Sequence, residues 1–145
     1  MSEKARGQSD IIGDPIMDST QFEEEWNSSF EFKFIDVDDL MSNERDIFKK
    51  TEAIMRLIGG RPINVKEIKI SETMRMDDFS FTEAAGIWEA NDSCIIIKRS
   101  QLQSLKDYAG TLLHEIAHAI SGATDVSSEF EQCLTSLLGR VVSNI

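Results

Sequence analysis

The sequence predicts a small α+β domain, and three features of its 145 residues lead to that prediction. Residues 43–58 carry apolar side chains at helical spacing. Residues 63–70 and 86–98 alternate or run apolar in the manner of strands. Two further helical segments, 101–121 and 126–143, follow the strands. A helix, a few strands and then two helices are typical of an α+β domain with a short mixed or antiparallel sheet.

The first part of the chain predicts a tail, an edge strand and one helix. Residues 1–20 are polar and lack periodicity, so we expect a flexible tail or linker before a domain of residues 21–145. Residues 30–34 alternate strictly between phenylalanine and charged residues, which predicts a strand or edge segment. Asn43 can cap the first helix, and Gly59 and Gly60 are expected to end it.

The middle of the chain predicts a β-hairpin. Residues 86–90 and 93–98 are two strand-like runs, and Asn91 and Asp92 supply a polar turn between them. Ile95, Ile96 and Ile97 form a continuous β-branched run, which indicates a strand buried on both faces. The helix that follows is expected to end at Gly122.

Composition restricts the partners and the compartment. The net charge is −11, from 26 acidic and 15 basic residues. Such a surface repels phosphate backbones and anionic membranes, so neither nucleic acid nor a membrane is an expected partner. No stretch approaches the ~18 apolar residues of a membrane span, and residues 1–10 lack the apolar run of a signal peptide. Cys94 and Cys133 form no disulfide framework, and we expect them to pack as small core residues in a cytoplasmic protein.

The chemistry of the chain is concentrated in one motif. His114-Glu115-Ile116-Ala117-His118 has the HExxH pattern and contains both histidines of the chain. In a helix that advances ~100° per residue, His118 lies about 40° from His114, on the same face one turn later. The apolar residues of this helix fall on the opposite side: Leu105, Ala109, Leu112, Ile116, Ala119 and Ile120. We therefore expect both imidazoles to face a cleft and to hold one Zn²⁺ ion, which neutral imidazoles bind.

Glu115 is placed to act beside such a metal. It falls about 100° from His114, where it can reach a ligand of the metal without ligating the metal itself. Zinc lowers the pKa of a bound water to ~7. Glu115 would take the proton of that water as general base and pass it to the leaving amine. An ordinary solvated helix face is the alternative, but the apolar flanks indicate a central helix.

A catalytic zinc site is expected to have a third protein ligand, and Asp125, Glu129 and Glu131 are the candidates downstream. Apolar residues predict the core face of the last helix, with its centre displaced toward Glu131: Phe130, Leu134, Leu137, Leu138 and Val141. Antiparallel pairing of the last two helices would also set Glu131 level with His118. Glu131 is therefore favoured, although it could instead complete a capping box with Ser128. Asp125 is better placed as the N-cap of the last helix.

Tyr108, Lys98 and Arg99 are further polar candidates for the site. Tyr108 could stabilise an oxyanion, but a packing role is favoured. Lys98 and Arg99 could bind a substrate carboxylate, but solvated charges at the end of a strand are the favoured interpretation.

The segment Leu112-Leu113-His114-Glu115-Ile116-Ala117-His118-Ala119 resembles the active-site helix of HExxH zinc metallopeptidases, the zincins. The following helix, with Glu131 and then Thr135 four residues later, is similar to the glutamate helix of the gluzincin branch. Small intracellular ImmA/IrrE-type peptidases share this order of elements over residues 64–143. The resemblance implies a zincin-like fold, His114, His118 and Glu131 as ligands of one zinc ion, and Glu115 as the base. A weaker resemblance over residues 70–118 is to bacterial domains joined to GHKL-type ATPase modules.

The sequence thus predicts a zinc metallopeptidase that hydrolyses peptide bonds in a protein or peptide substrate. The alternative is a zinc-binding interaction or regulatory module with little activity unless a partner or an attached ATPase module is present. Substitution of Glu115 by glutamine distinguishes the two, because it leaves metal binding intact and removes only turnover.

Overall fold

The computed structural model describes residues 31–75, 84–124 and 127–145. These residues form four strands and four α-helices, which confirms the predicted α+β class, while the predicted tail over residues 1–20 lies outside them. No helix among the described residues has the length and apolar character that a membrane span requires. In chain order the elements are β1 (Phe34–Ile35), α1 (Ser42–Phe48), α2 (Thr51–Leu57), β2 (Glu67–Ser71), β3 (Gly86–Glu89), β4 (Cys94–Lys98), α3 (Leu105–Ser121) and α4 (Ser128–Ser143).

The four strands form one mixed sheet in the order β1-β2-β4-β3. β2 and β4 are parallel, whereas β1 and β3 run antiparallel to their neighbours and lie at the two edges. The predicted hairpin is confirmed, with Gly86 opposite Ile97 and Glu89 opposite Cys94. The strand predicted over residues 30–34 overlaps β1 only at Phe34: residues 31–33 precede the strand, and residue 30 lies outside the described residues.

β4 is buried on both faces, as its isoleucine run predicted. Successive side chains of a strand point to opposite faces of the sheet. Ile95 and Ile97 accordingly join the main core beneath the helices, which contains Leu112 and Ile116 of α3. Cys94 and Ile96 point the other way and pack with Met74 in a second, smaller cluster. β4 therefore supplies part of the sheet face against which α3 packs.

The first predicted helix is divided into two short ones, α1 and α2. The break follows Phe48, whose carbonyl accepts a hydrogen bond of 2.5 Å from the hydroxyl of Thr51. A local side-chain bond of this kind competes with continuation of the helix. The prediction that Asn43 caps the helix is wrong, because α1 begins at Ser42 with Met41 at the cap position. The predicted stop is confirmed, since Gly59 and Gly60 have φ values of 101° and 115°.

Serine residues cap the N-termini of the two long helices, α3 and α4. Ser104 Oγ accepts a hydrogen bond from the backbone N–H of Asp107 at 3.1 Å, so α3 begins four residues later than predicted. Ser127 Oγ accepts from the backbone N–H of Phe130 at 3.1 Å and starts α4. The prediction that Asp125 is the N-cap of this helix is therefore wrong. Gly122 ends α3 as predicted, in the left-handed conformation with φ 67°.

Candidate metal centre

The HExxH motif lies in the second half of α3, on a helix that is buried on one side. Leu112 and Ile116 are inaccessible to solvent and face the sheet, whereas His114 and His118 are only partly buried. The two histidines are thus less buried than the core face of α3, but their rings contact the core residue Phe130, so the prediction that both imidazoles face a cleft away from the core stays a prediction. The core stripe is shorter than predicted, because Leu105 and Ile120, at the two ends of α3, are each 45% exposed.

The two imidazoles lie side by side. Their ring centroids are 5.0 Å apart, and the ring planes are inclined by 74°. His118 Nδ1 lies 2.7 Å from the backbone carbonyl oxygen of Ala123, just beyond the end of α3. A carbonyl oxygen can only accept a hydrogen bond, so this contact favours the tautomer with the proton on Nδ1. Nε2 of His118 is then the nitrogen that can ligate a metal, and the carbonyl fixes the orientation of the ring.

Phe130 of α4 contacts both imidazoles. Its ring is stacked on that of His118, with centroids 4.4 Å apart and planes inclined by 28°. It meets the ring of His114 edge to face, at 4.8 Å and 63°. Phe130 is itself only 5% exposed. Its contacts with both imidazoles therefore restrict the rotation of the two histidine rings.

Glu115 is a residue of α3, and its side chain lies between this helix and the edge strand β3. The residue is 5% exposed, although it carries a carboxyl group. A Cβ atom added to Gly86 of β3 would be 3.3 Å from Glu115 Cγ, so the strand backbone passes directly against this side chain. Within about one turn of α3, the structure thus places His114 and His118 against α4 and Glu115 against β3.

The structure does not bring the predicted third ligand to the imidazoles. Glu131 is exposed and lines a hollow on the outer side of α4 with Ser128, Gln132, Thr135 and Ser136. The sequence argument placed it nearer the core because Leu138 was assigned to the core face, but Leu138 is 52% exposed. Over the described ranges, no group of three or more His, Cys, Asp or Glu side chains could hold a metal ion. The role of Glu131 as a ligand stays a prediction.

Glu129 and Asp125 are the other two acidic candidates for the third ligand. Glu129 is exposed, and its Oε1 lies 3.4 Å from the hydroxyl of Ser128. Asp125 lies outside the described residues. The capping-box alternative for Glu131 is wrong, because the cap of α4 is Ser127, with Phe130 as its hydrogen-bond donor.

The remaining polar candidates have structural partners. Tyr108 is fully buried, and its hydroxyl lies 2.6 Å from Thr51 Oγ1, which confirms the packing role. Burial raises the pKa of Tyr108 to about 12. Arg99 forms two hydrogen bonds of 2.9 Å with Glu44, so it is neither a solvated charge nor a free anion-binding group.

Sequence reasoning missed three contributors to the site. Phe130 was assigned only to the core, and the carbonyl of Ala123 carries no side-chain signal. Thr111 could have been found, because it falls about 60° from His114 on the same face of α3, one turn before Glu115. Its hydroxyl donates to Gln101 Oε1 at 2.9 Å.

No family model matches this chain, and comparison with curated proteins and with solved structures gives no significant match. The functional inference therefore comes from the residues of the site and their geometry.

Proposed function

We propose that this protein is a zinc-dependent metallopeptidase in which His114 and His118 hold the metal and Glu115 is the general base. The observation that carries the proposal is the pair of adjacent imidazoles, with the ring of His118 oriented by the carbonyl of Ala123. A histidine that donates its second ring N–H to a carbonyl is the usual arrangement of a metal ligand. The buried carboxyl group of Glu115 on the same stretch of helix adds the base that hydrolysis needs.

The donor chemistry of the two histidines fits zinc. Ring centroids 5.0 Å apart allow one nitrogen of each ring to reach a common ion at the usual Zn–N distance of ~2.0–2.1 Å. Zinc would supply the Lewis acidity that makes a water molecule nucleophilic near neutral pH. A third protein ligand is still required for a catalytic site. We retain Glu131 for that role, with Asp125 and Glu129 as the alternatives.

The remaining steps belong to the chain's own residues. Glu115 would accept a proton from the attacking water and later donate it to the amine that leaves the cleaved peptide bond. Its burial between α3 and β3 limits the number of positions that the carboxyl group can adopt. The carbonyl of Ala123 and the ring of Phe130 would hold His118 in one orientation throughout. The fold is proposed to be zincin-like because these groups come from a helix packed against an edge strand.

A zinc-binding interaction module is the second candidate. It is favoured by the contact of Phe130 with both imidazoles, since an aromatic wall there narrows the approach of a substrate. It also agrees with the exposed position of Glu131 on the outer side of α4. In this case His114 and His118 would bind zinc, but the zinc-loaded chain would cleave no peptide.

Incubation of the zinc-loaded protein with a diverse peptide library, read by mass spectrometry, separates the two candidates. We expect new peptide termini with the wild type and none with Glu115→Gln, while both retain zinc. Glu67→Gln is the matched control, because it makes the same chemical change on β2, where the side chain of Glu67 is 63% exposed. Cleavage by Glu115→Gln at the wild-type rate would refute the peptidase mechanism. Zinc binding without cleavage by the wild type would support the interaction module.

A further inference from the structure

The backbone of β3 lies close to α3 at Gly86. A Cβ atom added there would be 2.9 Å from Thr111 Cγ2, 3.2 Å from the carbonyl oxygen of Ile96 and 3.3 Å from Glu115 Cγ. Contacts shorter than about 3.4 Å are too tight for carbon atoms at van der Waals separation. A side chain at this position could be accommodated only if Thr111 or Glu115 moved, because the carbonyl of Ile96 belongs to the β4 backbone.

This close approach is not a general property of the chain's glycines. The other glycines of the described segments have no neighbouring group within 4 Å of an added Cβ: Gly59, Gly60, Gly110, Gly122 and Gly139. Gly86 also has no need of a left-handed backbone, since it lies in a strand opposite Ile97. Gly86 therefore allows close packing of β3 against α3, and it is not required by a turn.

A hydrogen bond holds Thr111 in the orientation that makes this contact. The hydroxyl of Thr111 donates to Gln101 Oε1 at 2.9 Å. With the hydroxyl committed to that bond, the methyl group of Thr111 is directed at Gly86. Thr111 precedes Glu115 by one helical turn, so the two side chains lie side by side on α3. Both side chains pack against the backbone of β3 at Gly86.

We infer that Gly86 is a positioning residue for Glu115: its missing side chain lets the carboxyl group of Glu115 lie where a general base must be. This inference rests on the proposed peptidase function for its catalytic meaning. Proton transfer requires the base to be within hydrogen-bond reach of the water that it deprotonates. Even a shift of about 1 Å in such a group can lower the rate about 100-fold.

The test compares Gly86→Ala with Gly110→Ala, the matched control, which adds the same methyl group to α3 where nothing lies within 4 Å. We expect Gly86→Ala to lower kcat about 10- to 100-fold with little change in KM or in bound zinc. Gly110→Ala is expected to leave kcat unchanged. Crystal structures of both variants supply a second readout, the position of Glu115, which should shift only in Gly86→Ala.

A second variant guards against a simple folding defect. Thr111→Ser removes the methyl group that lies closest to the added Cβ. Gly86→Ala should therefore lower kcat less in the Thr111→Ser background than in the wild type. If Gly86→Ala does not fold, the double variant Gly86→Ala/Thr111→Ser decides by comparison with Thr111→Ser alone: a lower kcat with Glu115 displaced supports the inference, and an equal kcat overturns it. Folded Gly86→Ala with Glu115 in place and full kcat would also overturn it. A wild type without peptidase activity would refute the proposed function, while the displacement of Glu115 would still test the packing claim.

Discussion

A partly buried ion pair joins Glu44 of α1 to Arg99, in the segment before α3, and its contribution to stability can be measured. Glu44 is only 3% exposed. Its carboxylate accepts two hydrogen bonds of 2.9 Å from Nε and Nη2 of Arg99, and one of 2.8 Å from the backbone N–H of Met41. The hydrogen bonds from Arg99 lower the pKa of Glu44, and they outweigh the opposing effect of burial. The charged form of Glu44 is therefore stabilised by the fold.

Glu44→Gln removes the charge and keeps the size of the side chain. The amide oxygen can still accept from Met41, but the two charge-assisted bonds to Arg99 are weakened or lost. Hydrogen bonds to charged groups contribute about 1.5–3 kcal/mol each. Arg99 keeps its pair with Glu72 at 3.2 Å, which offsets part of the loss. We expect the free energy of unfolding to fall by about 3 kcal/mol at pH 7.

The pH dependence of this loss has a defined sign. A carboxyl group whose pKa is lower in the folded state contributes stability above its unfolded pKa, which is about 4.3 for glutamate. That contribution disappears as the pH falls through the folded pKa of Glu44. The difference in unfolding free energy between the wild type and Glu44→Gln should therefore be full at pH 7 and should shrink below about pH 4.

Urea unfolding followed by circular dichroism measures both quantities. Glu52→Gln is the matched control, because Glu52 pairs with Arg61 on the surface, where its side chain is 62% exposed. An exposed pair contributes about 0–1 kcal/mol, so the control should lose little stability. Equal losses for the two variants at pH 7, or a loss for Glu44→Gln that does not change with pH, would refute the reasoning.

Two further predictions concern buried polar groups. Tyr108→Phe removes the bond to Thr51 and should lower the unfolding free energy by about 1 kcal/mol in urea titrations, without loss of zinc; unchanged stability would contradict a stabilising contribution from this bond. Burial raises the pKa of the Cys94 thiol, whereas Cys133 is only partly buried. Cys94 should therefore react more slowly than Cys133 with a thiol reagent in the native protein, and at the same rate in urea; equal native rates would contradict this.

Local periodicity predicted the elements that depend on neighbouring residues. One turn of helix between His114 and His118 was enough to bring their rings to 5.0 Å. The isoleucine run predicted the doubly buried β4, and Gly122 predicted the end of α3. In each case a residue fixes its own conformation or that of the adjacent turn, so no tertiary information is needed.

The features that were missed depend on contacts between distant segments. Besides its local bond to the carbonyl of Phe48, the hydroxyl of Thr51 at the helix break contacts Tyr108, 57 residues later, and helical periodicity continues across the break. Leu138 has the spacing of a core residue, but spacing cannot show where the protein surface begins. The choice of Phe130 over Glu131 as the neighbour of the imidazoles depends on the register between α3 and α4.

Zinc content tests most directly whether the two imidazoles hold a metal. Elemental analysis of the purified wild type and of His118→Ala, each dialysed against trace zinc, measures the metal bound per chain. We expect one zinc ion per chain in the wild type and its loss in His118→Ala, with both proteins folded by circular dichroism. A wild type without zinc, or an equal zinc content in the two proteins, would contradict the metal centre.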